Sequence, residues 1–317
     1  VGNLVDSFAM ASGPHAGVTV EQAQAIQSGK NTSTGADVEY SIADLADTIE
    51  SNYNDAAVDA ATSVTANDST SEAQVLELTV DEYKALIDSG VDATDPTTLG
   101  GTAGYRIVDT ASNIEAEITV DGTGAVTGIG VLASAVAVVA DDSGAQVMNL
   151  TVAQVAALVG ANTAITNGYT VTDTGSAIAN DITTNSSSIV SAAVSAAAGV
   201  SGVVATGATP SEAVTLADST HVDSFAMASG PHTDVTVDQA EAIQSAKNTS
   251  TGTDVEYSIS DLADNIEANI AAIDAATEVT ANDSADAAKI LELTVAEYKA
   301  LVDGDNASSF YDSVDPA

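Results

Sequence analysis

Tyr40-Ser41-Ile42-Ala43-Asp44-Leu45-Ala46-Asp47-Thr48-Ile49-Glu50 decides how the rest of the chain is read. Tyr40 and Ile42 alternate as in a half-buried strand, and Ala46 and Ile49 then fall at helical spacing. Asp44, between the two patterns, is the residue type that accepts the orphan amides of a helix start. The pattern returns as Tyr105, Ile107, Asp109, Ala111, Ile114, then as Tyr169, Val171, Asp173, Gly175, Ile178, and again as Tyr257, Ile259, Asp261, Ala263, Ile266. A strand turning into a helix capped by its aspartate, repeated in step, makes the chain a tandem array.

A second motif runs between these copies. Val18 to Ile26 returns as Leu78 to Leu86, Leu150 to Leu158, Val235 to Ile243 and Leu293 to Leu301. Every copy has Thr followed three residues later by Gln or Glu: Thr19 and Gln22, Thr79 and Glu82, Thr151 and Gln154, Thr236 and Gln239, Thr294 and Glu297. Each pair is a capping box ahead of an apolar helical pattern, so each predicts a helix start. Between the motifs lie aliphatic stretches such as Val64-Thr65-Ala66 and Val138-Val139-Ala140, read as strands, and the segments Leu76 to Leu78 and Leu291 to Leu293, read as a further strand before the capped helix. The expected class is α/β, with tandem β-α-β-β-α repeats stacked as a solenoid-like or beads-on-a-string array.

The tyrosines stand 65, 64 and 88 residues apart. This spacing divides the chain into the C-terminal half of a preceding repeat (1–38), units at 39–104, 105–168 and 169–256, and a final unit at 257–317. The longer third step predicts an insertion of about 24 residues near 207–231, where Gly, Pro and Ser read as loop. A larger period overlies the small one: Asp6 to Glu50 matches Asp223 to Glu267 with most residues identical. Both ends of the sequence fall inside a unit, the pattern expected either of a segment from a longer tandem protein or of ends that meet those of neighbouring copies.

Composition restricts partners. The 317 residues carry 46 acidic and 6 basic side chains, a formal net charge of −40, and Arg106 is the only arginine. Such a field repels phosphate backbones and anionic lipid, which argues against nucleic acid and against membrane-surface binding. It attracts cations, and predicts a salty or calcium-containing medium. The chain has no Cys and no Trp, so its core is expected to be thin layers of Ala, Val and Ile. The most apolar run, Gly124 to Ala140, is shorter than the ~20 residues of a spanning helix, so membrane insertion is not expected.

The sequence Tyr-x-Ile-x-Asp-x-Ala-x-x-Ile followed by Leu-Thr-Val-x-Gln-x-x-Ala-Leu resembles the strand-helix repeats, often written VSDTAANI…LTxxQA, of very large secreted bacterial surface proteins, adhesin-like and surface-layer-like ones among them. The resemblance covers nearly the whole chain. Relatives of that kind often carry glycine-rich calcium nonapeptides, of which Asp121-Gly122-Thr123-Gly124 is only a fragment.

Catalytic residues do not emerge. His15 and His232 occupy one repeated Ser-Gly-Pro-His turn, His221 stands alone, and the sequence lacks nucleophile, phosphate-loop and His-Glu-x-x-His motifs, so no catalytic residue, no cofactor other than calcium and no enzyme activity are expected. Calcium is the ligand the composition favours. Asn67 with Asp68, Asp141 with Asp142, and Asn282 with Asp283 would place hard oxygen donors along one edge of the array. The same residues also terminate strands by holding turn amides, without any metal. The function expected is structural: an extracellular, cell-surface subunit or segment of a surface layer or filament, partnered by copies of itself as a homopolymer or lattice. The alternative is the stalk of a secreted adhesin that meets a surface glycan.

Overall fold

In the computed structural model, alternation and helical spacing produce the elements they predict. The structure describes residues 10–11, 13–29, 38–67, 75–88, 99, 104–141, 147–166, 168–184, 200–245, 255–270, 276–282 and 294–295. The protein is mixed α/β, with several parallel sheets. Strand β1 (His15–Val18), helix α1 (Val20–Gly29), β2 (Tyr40–Asp44), α2 (Ala46–Glu50), α3 (Ala56–Asp59) and β3 (Val64–Ala66) form the first module. Its strands lie side by side in the order β1-β2-β3, all parallel.

The second module follows as β4 (Leu76–Leu78), α4 (Val80–Asp88), β5 (Tyr105–Asp109), α5 (Ala111–Ala116) and β8 (Ala137–Ala140). Between α5 and β8 it carries an antiparallel hairpin, β6 (Thr119–Val120) with β7 (Val126–Gly128), and a 3-10 helix at Gly130–Ser134. Next come β9 (Met148–Leu150), α6 (Val152–Gly160) and β10 (Ala164–Thr166), and β10 returns to lie parallel beside β8, giving the sheet order β4-β5-β8-β10. The chain continues through β11 (Tyr169–Thr174), α7 (Gly175–Thr184), β12 (Val200–Ala208), α8 (Pro210–Asp218) and β13 (Ser224–Met227). It ends, among the described elements, with β14 (His232–Val235), α9 (Val237–Ser245), β15 (Tyr257–Asp261), α10 (Ala263–Ala268) and β16 (Glu278–Ala281), paired in the parallel order β14-β15-β16. Residues Val1–Tyr169 and Thr170–Ala317 are two compact units.

From Tyr40 the elements follow the expected order of strand, helix, strand, strand, helix with the short α3 added, whereas the hairpin is interposed after Tyr105 and α8 with β13 after Tyr169; in the Tyr40 copy the consecutive strands belong to different sheets. β3 pairs with β2, whereas β4 pairs with β5. The pairing therefore groups each threonine-capped helix with the tyrosine strand after it, as a β-α-β-α-β layer. A helix crossover between neighbouring parallel strands is the connection such strands require. The tyrosines and aliphatics of the four copies, together with Ile49, Ile114, Ile178 and Ile266, are all buried, none more than 5% exposed. With full burial of an Ile side chain contributing about 1.5–3 kcal/mol, these repeated positions are where each layer gains its cohesion.

One expectation needs correction. The 207–231 segment is not loop: β12 runs to Ala208, Pro210–Asp218 is helical, and β13 lies parallel beside β12. Thr209 caps α8 with Glu212 and Pro210 sits at its first turn, a start signal as complete as those of the repeated motif. The apolar run from Gly124 to Ala140 is hairpin strand, 3-10 helix and core strand, and among the described residues no helix is long and apolar enough to cross a membrane.

Candidate functional site

Asp44, Asp109 and Asp261 each end the central strand of a sheet, and each carboxylate joins two helices. One Asp44 oxygen accepts the amide of Val20, the first residue of α1, at 2.8 Å, and the other accepts the Leu45 amide at 2.9 Å, where α2 begins. Asp109 repeats this with Val80 at 2.9 Å and Thr110 at 2.7 Å, and adds the Asn113 side-chain amide at 2.8 Å. Asp261 repeats it with Val237 at 2.8 Å, Leu262 at 2.7 Å and Asn265 at 2.8 Å. The N-caps proper of α2, α5 and α10 are Leu45, Thr110 and Leu262. The repeated aspartate is thus one residue earlier than a cap, and its reach back to the previous helix is what sequence spacing does not reveal.

These carboxylates are occupied by helix amides, where the helix dipole favours negative charge. Burial pushes the Asp261 carboxyl up, but the bonds from Val237, Asn265 and Leu262 outweigh it and hold the group below its ordinary value. A carboxylate engaged in this way is a structural staple, poorly suited to act as a base. The tyrosine before it is held as well: the Tyr40 hydroxyl donates to the Ala57 carbonyl at 2.6 Å and accepts from Gln27 at 3.0 Å, and Gln244 donates to the Tyr257 hydroxyl at 2.6 Å. The capping boxes at Thr19, Thr79, Thr151 and Thr236 have both of their hydrogen bonds. The fifth reaches Glu297, outside the described residues.

Two kinds of joint lead into the first strand of a sheet. β4 is an edge strand, and its Glu77 amide donates to Glu50 at the end of α2, at 2.5 Å. Glu115 at the end of α5 receives the Asn149 amide of β9 in the same manner, at 2.6 Å. The other kind needs no glutamate. In β1 four residues lie opposite three of β2, and in β14 four lie opposite three of β15. Gly17 and Asp234 take positive φ in these bulges, and their amides turn to the hydroxyls of Ser41 at 3.0 Å and Ser258 at 3.1 Å. Helix α7, which starts from the same motif as α2 and α5, has Ala179 where they have Glu50 and Glu115. Ile49-Glu50, Ile114-Glu115 and Ile266-Glu267 against Ile178-Ala179 is the sequence signal that could have pointed to the glutamates.

The proposed calcium positions are only partly placed. The amides of Asn67, Asp141 and Asn282 donate to the carbonyls of Asp44, Asp109 and Asp261, at 2.9, 2.9 and 2.8 Å, closing the ends of paired strands. Asp68, Asp142 and Asp283 lie outside the described residues. Among the described residues no group of three or more His, Asp or Glu is arranged to hold a metal ion. Asp121 caps its own hairpin, accepting from the Thr123 amide and hydroxyl and the Ala125 amide; the Thr123 bonds lead in holding its carboxyl below the ordinary value.

The histidines do not converge. His15 lies on β1, its Nε2 3.2 Å from the Ala11 carbonyl; His232 lies on β14 and His221 in the turn after α8. Among the described residues the structure brings together carboxylates with helix and strand amides. Comparison with known protein families, with characterised proteins and with solved structures gave no match.

Proposed function

We propose that this protein is a structural component of the cell exterior, a subunit or segment of a surface layer or filament. Its β-α-β-α-β layers would follow one another as a solenoid-like or beads-on-a-string array and meet copies of the same chain. The observation that supports this reading most directly is where the recurring polar side chains go. Asp44, Asp109, Asp261, Glu50 and Glu115 all receive backbone amides of helices or edge strands. The pattern repeats joints between elements, and tandem layers gain stability from their neighbours in this way.

The surface charge then falls to the medium. With 46 acidic and 6 basic residues, the array would depend on cations to screen or bridge carboxylates, calcium at Asn67-Asp68, Asp141-Asp142 and Asn282-Asp283 included. Electron micrographs and sedimentation of the purified chain, with calcium and with chelator, test this. Axial or lattice contacts that loosen on chelation are expected. Extended monomers indifferent to calcium would favour the adhesin stalk with a glycan-binding role, and a compact, hydrolytic monomer would defeat both readings.

A further inference from the structure

At the joint between α2 and β4, several acids surround one that has work to do. Glu50 receives the Glu77 amide of the edge strand at 2.5 Å. Facing it are Asp47 on its own helix, Glu77 on β4 and Glu82 on α4. Glu82 is already the acceptor of the Thr79 amide, and the Arg106 guanidinium on β5 is 3.4 Å from the Glu77 carboxylate. The joint between α5 and β9 has the same geometry with different surroundings. Glu115 receives the Asn149 amide at 2.6 Å, and neutral Asn149 and Gln154 stand where Glu77 and Glu82 stand in the first joint.

We propose that the α2–β4 joint is a latch tightened by acid and by salt, a property that the α5–β9 joint, with Asn149 and Gln154 in place of two of the acids, does not share. Protonated Glu50 keeps an oxygen to accept the Glu77 amide and no longer repels Asp47, Glu77 and Glu82. Ionised Glu50 accepts the same bond but against that repulsion, which low ionic strength leaves unscreened. Burial pushes the Glu50 carboxyl above the ordinary value, the bond from the Glu77 amide pulls it down, and the charges of Glu77, Asp47 and Glu82 push it up again. Because the folded value is the higher one, this contribution is complete below the unfolded glutamate value of about 4.3 and is lost as pH rises through the raised one.

Amide hydrogen exchange on the whole chain tests the latch, read as protection factors so that intrinsic exchange is removed. Between about pH 4.5 and 7.5 in low salt, protection of the Glu77 amide should fall relative to that of Asn149, a loss read as the ratio of the two protection factors. Sodium chloride at about 0.5 M should restore it, the Debye length there being only a few ångströms. Glu50→Gln should keep Glu77 protected and remove the dependence on pH. Parallel changes at Glu77 and Asn149, or an unchanged pH dependence in Glu50→Gln, overturn the proposal. Should that variant fail to fold, Asn149→Glu with Gln154→Glu gives Glu115 the counterparts of Glu77 and Glu82, two of the three acids that face Glu50; protection at position 149 must then become pH-dependent, and constancy there overturns the proposal equally.

Discussion

Helices α2 and α7 start from the same motif and differ at both ends. α2 begins at Ala46 and ends at Glu50, which reaches the edge strand of the next sheet. α7 begins at Gly175, has Ala179 in the glutamate position, and packs against α8, β12 and β13. The differences have one origin. β12 continues to Ala208, whereas its counterpart β3 stops at Ala66, and a Cβ on Gly175 would fall 2.6 Å from the Ala208 Cα. α7 has α8 and β13 beside it, where α2 meets the edge strand β4, and the residue at position 179 is Ala rather than Glu. The repeat keeps its aspartate and its buried Tyr and Ile, and adjusts the residues that face whatever comes next.

The aspartate staple, which reaches back to the preceding helix at Asp44, Asp109 and Asp261, is the larger thing to break. Replacing the buried Asp261 by Ala leaves the amides of Val237, Leu262 and Asn265 without their acceptor, and should cost about 3 kcal/mol, as expected for losing charge-assisted bonds at helix starts. Urea unfolding followed by circular dichroism reads the loss; Asp261→Asn, which keeps one acceptor oxygen, should lose about half as much. A change within about 0.5 kcal/mol would show that the staple contributes no more than an ordinary surface residue.

Acid should act on the same group with the opposite sign to Glu50. The folded value of Asp261 lies below its unfolded value, so its contribution is present above about pH 3.9 and disappears as pH falls through the depressed value. The Glu50 contribution is instead complete at low pH. Stability measured against pH should therefore rise from neutrality into mild acid and collapse below it, with Asp261→Asn flattening the acid limb.

What separates the two regions is tested by Gly175→Ala. The added methyl meets backbone, which cannot move aside as a side-chain tip can, so a loss of about 2 kcal/mol is expected from overpacking. The reverse exchange in the plain module, Ala46→Gly, removes a small buried methyl and some helix propensity and should cost about 1 kcal/mol. Equal, small effects at both positions would mean that β12 shifts freely and that the close approach sets no constraint.

The contrast between α2 and α7 also marks what the sequence can carry. Tyr40, Ile42 and Ile49 are legible because burial in a strand or helix imposes a period on neighbouring residues. The threonine boxes are legible because both of their bonds close within four residues. Glu50 and Asp44 act on amides 27 and 24 residues away, at Glu77 and Val20, and no local period records such a partner. Thr209 and Glu212 carry the capping signal in full, yet their Gly-, Ser- and Pro-rich flanks resemble a loop until β12 is seen to continue up to them.

The smallest expected effect lies in the bulges of β1 and β14. Gly17 and Asp234 are equivalent positions in near-identical segments, with φ of 66° and 55°. Glycine adopts that conformation without strain, while a side chain there carries a modest penalty that aspartate tolerates better than most. Asp234→Gly should therefore relieve strain but enlarge the unfolded ensemble, with a net gain of only about 0.5 kcal/mol, and should leave the Ser258 bond to the amide intact. The exchange Gly17→Asp should lose about as much. If Asp234→Gly instead destabilises the protein by about 1 kcal/mol or more, the aspartate side chain itself holds the bulge, and the turn of the amide to Ser258 is not a property of the backbone alone.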